Sequence, residues 1–256
     1  MSGTGGPDAA NPTRGELPFR ERNGESRRLI VNADDFGRSP GVNRGILHCH
    51  EHGIVTSASL MVRWPDADEA AASARGSALA LGLHFELGEW VFQQGQWRIR
   101  YEVLREVRAE TVATELDRQL ERFYELVGAP PSHLDSHQHV HNDEPTRSVV
   151  VARGAELGVP VRAATPGITY SGAFHGQDGR GTPVPDAITV DALISVIEAL
   201  PIGTTELGCH PAAAVDHEST YAKERLRELQ TLCDPRVREA LVRRKVELLS
   251  FADYPE

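Results

Sequence analysis

Two adjacent aspartates, Asp34 and Asp35, stand directly after the apolar run Leu29-Ile30-Val31-Asn32. Carboxylates this close repel unless a cation or a shared proton lies between them, although either could instead cap a helix or close an Asx turn. His84 and Glu86 flank Phe85 where the run Leu79–Leu83 stops. Taken alone, a histidine there is more often a packed, hydrogen-bonded side chain than a ligand. The densest signal is His133-Leu134-Asp135-Ser136-His137-Gln138-His139-Val140-His141, which holds four of the 11 histidines. If that segment is extended, the two-residue strand period puts Asp135, His137, His139 and His141 on one face. Neutral imidazoles stacked in this way suit a divalent transition metal or a polar pocket, with a solvated surface cluster as the competing reading. The run Thr205-Glu206-Leu207-Gly208-Cys209 ends in His210-Pro211, and a strand-end histidine near a metal could act as acid or base.

Other patterns are weaker. His48, His50 and His52 share a helical pattern with Val42, Ile46 and Leu47 and read as its solvated face. No GxGxxG, P-loop or GxSxG pattern occurs, which removes the usual sequence argument for a dinucleotide, for ATP or for a serine nucleophile. Cys49, Cys209 and Cys233 are odd in number with no CxxC spacing, against both a disulfide framework and a cysteine-rich zinc module. A reducing cytoplasm suits them, and Cys209 reads as a small buried side chain.

These residues need a scaffold that gathers strand ends. Strands are expected at Leu29–Asn32, Ile54–Val62, Leu79–Phe85, His133–Asp135, Val159–Arg162, Thr205–His210 and Val246–Phe251, mostly short and apolar as strands buried on both faces should be. Helical patterns fill 41–52, 66–75, 110–127, 144–157, 190–200, 219–232 and 235–244, the clearest being Val112, Leu116, Leu120, Phe123 and Val127, stopped by Gly128 and Pro130. About seven strands alternating with about seven helices is α/β, and points to a full or distorted β/α barrel ahead of an open doubly wound sheet. Residues 1 to 27 read as a flexible tail and 28–256 as the barrel domain. Tyr170 to Ala187, rich in glycine and proline, reads as a long loop, either a lid or substrate wall or else disordered.

The composition sets wider bounds. With 256 residues, 40% of them hydrophobic and 25% charged, the chain can bury a sizeable core. A formal charge of -10 disfavours a nucleic-acid partner. No run is long and apolar enough for a membrane span, and no apolar core of a signal peptide is evident, so a cytoplasmic protein is expected.

The segments Leu29–Gly37, Gly41–Ile46, Gly53–Ser57, Gly82–Phe85, His133–His141 and Cys209–Pro211, in this order and spacing, resemble the YdjC-like carbohydrate deacetylases, which include chitooligosaccharide deacetylases. The resemblance runs from about Leu29 to about Phe251. It implies a distorted β/α barrel that holds one divalent metal ion, magnesium or zinc, and hydrolyses the acetamide of N-acetylated sugars. Position by position it places the metal ligands at Asp35, His84 and His137, the general base at Asp34 and the general acid, in protonated form, at His210. Arg162 matches an arginine that orients the catalytic carboxylate. Gln138 departs from the pattern, since many relatives have histidine there, and the loop from Tyr170 to Ala187 has no counterpart. A homodimer rests on analogy alone. The alternatives are a metal-dependent phosphoesterase or cyclic amidase on a similar barrel, and a non-catalytic sugar-binding relative.

Overall fold

The computed structural model describes residues 26–215 and 219–254. Nearly all of the stretch read as a tail therefore lies outside the described residues, and Arg27 already belongs to the first strand. Seven helices form where the periodicities place them: α1 (Pro40–His52), α2 (Ala67–Ala74), α3 (Ala109–Val127), α4 (Thr146–Leu157), α5 (Val190–Glu198), α6 (Ala222–Leu232) and α7 (Pro235–Arg244). Their ends are chemically marked. The Ser39 side chain accepts a hydrogen bond from the Val42 N–H ahead of Pro40, while Gly128 and Gly158 close α3 and α4 in the left-handed conformation.

The strands are β1 (Arg27–Phe36), β2 (Ser57–Leu60), β3 (Ala80–Phe85), β4 (Gly88–Gln93), β5 (Gln96–Glu102), β6 (Leu134–Ser136), β7 (Ile168–Ser171), β8 (Gly203–Cys209) and β9 (Val246–Leu249). All but β4 and β5 join one curled parallel sheet in the order β6-β3-β2-β1-β8-β7. β1 is long enough to have three neighbours: β8 runs along one edge, and β9 and then β2 share the other. Among the described residues the sheet does not close into a ring of hydrogen-bonded strands, so the expected barrel is a distorted, open one.

Alternation along the strands explains why the sheet carries chemistry. Leu29, Val31 and Ala33 of β1, Leu83 and Phe85 of β3, and Leu207 and Cys209 of β8 belong to the apolar core beneath the helices. Their alternates Asn32, Asp34, His84 and Glu206 point into the curl and are equally buried. The strands are thus buried on both faces, but one face is polar.

Three strand expectations need correction. Val159–Arg162 is not a strand: only Val161 bridges Leu134, because Pro160 offers no N–H and Ala163, at φ 54°, turns the chain away. The hairpin β4–β5 was not expected, its two-residue turn being Gln94-Gly95 rather than the usual Asn-Gly. β7 begins two residues before the stretch assigned to a loop and takes its first two residues. The remainder of that stretch is a folded wall rather than a disordered one: Phe174 is fully buried, and Asp178 accepts bonds from the N–H groups of Arg180 and Thr182.

Candidate active site

Apart from Arg162, which follows the single bridge residue Val161, every candidate residue lies at the C-terminal end of a parallel strand or just beyond it, where β/α folds place their chemistry. Consecutive strand residues normally face opposite ways, so Asp34 and Asp35 should not share a pocket. They do so because the β1–β2 register shifts between Ala33 and Phe36 and Asp35 adopts φ 67°. His84 and Asp135 are register partners on β3 and β6, and His84 Nδ1 lies 2.7 Å from Asp135 Oδ1. That bond leaves Nε2 facing Asp35 Oδ1 at 3.4 Å.

The histidine-rich segment departs from the extended expectation. β6 stops at Ser136, and His137–Asn142 form a 3-10 turn with Gln138 and His139 at φ 51° and 54°. Asp135, His137, His139 and His141 therefore share no single face. The Ser136 hydroxyl closes the turn by accepting from the His141 N–H and meeting its Nδ1. His137 alone of the three later histidines reaches the aspartates, with Nδ1 3.0 Å from Asp35 Oδ1. His139 packs on Tyr170 with ring centroids 5.3 Å apart, and His133 stacks on Phe251. His48 and His52 are exposed on α1, as expected, whereas His50 is half-buried with Nδ1 2.9 Å from the Val55 carbonyl oxygen.

Asp35, His84 and His137 each present a donor atom within 4.8 Å of the others, and all three are buried. The donor set fits a divalent cation in three respects. It combines one carboxylate with two imidazoles. Asp135 orients the His84 ring from behind, as a metal-ligating histidine requires. His137 Nε2 is buried and has no hydrogen-bond partner among the described residues, the Glu89 carboxylate standing 3.8 Å away. Burial opposes charge on His84, yet Asp135 and Asp35 outweigh it and push the imidazole up to about 10. A field that draws a proton to this point draws a cation too.

Beside this set lies Arg162, fully buried, with one guanidinium on three carboxylates. Its terminal nitrogens donate to both oxygens of Asp34 at 2.7 Å, Nη2 also lies 2.8 Å from Asp135, and Nε donates to Glu206 Oε1 at 2.6 Å. Burial favours a protonated Asp34, but Arg162 more than offsets this and holds the carboxyl below its ordinary value. Asp135 is lowered likewise, against the same burial. His210, at the end of β8, sets Nε2 3.8 Å from Asp34 Oδ2. Burial pushes His210 down to about 3, so its ring rests neutral.

The structure brings together Asp34, Asp35, His84, His137, Arg162 and His210, and adds residues that sequence reasoning missed. Asn32 donates to Asp34 and to Ser59 from the inner face of β1. Arg225 of α6 pairs with Asp35, and Glu228, one turn on, accepts from the His210 backbone N–H. They share the buried stripe of α6 with Thr231 and Leu232, and nothing in the sequence pattern marked either. Over these groups opens a cavity of about 420 Å³, walled by the β4–β5 hairpin, the loop 175–181 and Tyr221.

A family model described as YdjC-like protein matches residues 28–243. A carbohydrate deacetylase of Geobacillus stearothermophilus is 37% identical over 246 residues, covering 89% of this chain and 98% of the relative. A chitooligosaccharide deacetylase of Serratia marcescens is 32% identical over 261 residues, covering 88% and 98%. Among solved structures, a putative cellobiose-phosphate cleavage protein from Enterococcus faecalis superposes with a TM-score of 0.73 at 28% identity, covering 88% of this chain and 98% of the other. Among the described residues no helix is long and apolar enough to cross a membrane.

Proposed function

The chain belongs to the YdjC-like family, and on that premise we propose that it is a metal-dependent carbohydrate deacetylase, hydrolysing the acetamide of an N-acetylated sugar to acetate and a free amine. The observation that carries the reading is the buried Asp35–His84–His137 donor set, with Asp34 and His210 beside it on the floor of an open cavity.

Asp35, His84 and His137 would hold the cation, which when bound supplies Lewis acidity toward water and the acetyl carbonyl. Asp34 is the base. It is ionised, and Arg162 and Asn32 fix its plane, so its lone pairs are aimed before a substrate arrives. Arg162 touches no substrate in this scheme; it positions Asp34. His210 is the acid toward the departing amine. Because its ring rests neutral, the proton it donates is one it first takes up, and the Asp34 carboxyl, 3.8 Å away and so one water or one small approach short of a hydrogen bond, is the source in this scheme. Water thus loses a proton to Asp34 and the amine gains one through His210, so the proton count closes within the site.

One carboxylate with two imidazoles suits zinc or another transition ion better than magnesium, which prefers oxygen ligands. Three free thiols, Cys49, Cys209 and Cys233, fit a reducing cytoplasm. The test is acetate release from diacetylchitobiose and longer chitooligosaccharides by chelator-stripped protein, with zinc, magnesium, manganese or cobalt restored. Metal-dependent release, abolished by Asp34→Asn and by His137→Ala, is expected. Release of phosphate from a phosphorylated sugar, with no acetate from any oligomer, would transfer the site to the phosphoesterase alternative.

A further inference from the structure

Helices α1 and α6 meet at a pair of thiols that the hydrolytic scheme leaves unused. Cys49 of α1 is fully buried, and Cys233, the residue that caps the end of α6, is half-buried. They stand 184 positions apart in the chain, yet their Sγ atoms are 3.7 Å apart, in van der Waals contact. Cys49 Sγ also lies 3.9 Å from the carbonyl oxygen of Leu229, one turn back along α6. The third thiol, Cys209, belongs to the sheet, where it faces the Asn32 carbonyl oxygen at 3.4 Å.

The surroundings hold the two sulfurs together and leave one of them within reach of solvent. The chain leaves α1 through Gly53, where a Cβ would stand 2.7 Å from the Leu232 carbonyl oxygen and 3.1 Å from Cys233 Sγ, so glycine lets this turn close on the end of α6. Arg238 of α7 donates to the Gly53 carbonyl and brings a positive charge toward Cys233. Contact with Cys233, and then burial, push the Cys49 thiol up. The same contact and the Arg238 guanidinium hold Cys233 below its ordinary value, against its burial. The reachable sulfur is thus the readier thiolate, and the hidden one sits directly behind it. Earlier in α6, Arg225 reaches Asp35 and Glu228 meets the His210 N–H, so a tie between Cys233 and α1 also holds the helix that carries these two.

We infer that Cys49 and Cys233 are a redox modification site, closed into an intramolecular disulfide by a low-molecular-weight disulfide of the glutathione type. Cys233 gives up its proton, and its thiolate attacks one sulfur of the reagent RSSR; the reagent's S–S bond breaks, and RS⁻ leaves and is protonated. The Cys49 thiolate then attacks Cys233 Sγ in the mixed disulfide and displaces the second RS⁻. Two protein thiols and RSSR give one protein disulfide and two RSH, with two electrons passed from protein sulfur to the reagent. The sulfurs close from 3.7 Å to about 2.05 Å by rotation of the two side chains and a small approach of the helix ends. The new bond encloses β2 through β8 in one covalent loop and restricts the unfolded chain, so the oxidised form is the more stable. Reducing surroundings return the pair to thiols. None of this chemistry depends on the deacetylase reading.

The full chain is equilibrated with excess oxidised glutathione, and Tm is read before and after dithiothreitol. In parallel the reaction is quenched with acid, free thiols are alkylated with iodoacetamide in denaturant, and intact mass and proteolytic peptides are measured. Wild type is expected to keep one alkylatable thiol of its three, to yield a peptide joining Cys49 to Cys233 with Cys209 alkylated, and to gain roughly 5–15 °C in Tm, all reversed by dithiothreitol. Cys49→Ala is expected to stop at a mixed disulfide of Cys233 with glutathione, and Cys233→Ser to leave both remaining thiols free. The wild-type readings decide the matter by themselves should either variant fail to fold. Three free thiols in wild type, a mixed disulfide at Cys233 that does not resolve, a linked peptide that contains Cys209, or a Tm that stays or falls on oxidation would each overturn the disulfide site.

Discussion

Replacing Glu206 with glutamine should stabilise the protein, and only above mildly acid pH. Arg162 supplies a single positive charge to three buried carboxylates. Asp34 and Asp135 have further donors in Asn32, Ser59 and His84 and stay ionised. Glu206 has only the Arg162 Nε bond, its Oε2 has no hydrogen-bond partner among the described residues, and burial pushes it from 4.5 up to about 7. Between those two values the folded protein keeps a proton that the unfolded chain releases. The stability from this group is whole below pH 4.5 and is lost as pH rises through 7. About 2.5 pH units at about 1.4 kcal/mol each come to about 3 kcal/mol. Glutamine has no proton to lose and can still accept from Arg162. Urea unfolding of both proteins from pH 4.5 to 8 should show the difference moving toward the variant by about 3 kcal/mol, roughly 1–3 M in midpoint. Parallel stability curves over that range would mean that Glu206 is already ionised in the fold, and would refute the charge accounting around Arg162.

Two other changes follow from the same network. Arg162→Met keeps the volume but strands Asp34 and Asp135, and should cost about 3–5 kcal/mol, a fall of roughly 6–20 °C in Tm by calorimetry, with loss of acetate release. Restoring a divalent ion to chelator-stripped protein at about 100 times its Kd should add about 2.7 kcal/mol of stability, an increment that His137→Ala abolishes.

The sequence displayed the groups of the site better than it displayed their directions. Asp34, Asp35, His84 and His210 were visible because apolar runs stop at them. His137 stood out for a reason that did not hold, since the strand ends at Ser136 and the left-handed residues Gln138 and His139 break its period. No local pattern announces such a turn when its cause is a distant partner, here the backbone of Trp90. All seven helices were legible because each buries one stripe against a single layer. The hairpin was not, because its exposed Gln96–Glu102 strand buries too little to leave an alternating pattern. Arg225 and Glu228 were hidden for the converse reason: they are buried on the helix stripe where apolar residues are expected, and only the carboxylate and backbone they meet explain them.

The sharing of one edge of β1 between β9 and β2 bears on how the chain reaches this state. Arg27–Ile30 pair with Val246–Leu249, so the first strand completes its hydrogen bonding only when the far end of the chain arrives. Such non-local pairing slows folding. Until then the lower half of β1 is an open, apolar edge carrying Leu29 and Ile30, the kind of edge that pairs with a neighbouring molecule. During synthesis that edge stays open while the rest of the sheet is made, and the last strand serves as its cover. A chain that stopped before Val246 would carry a complete donor set for the cation and a persistent tendency to aggregate.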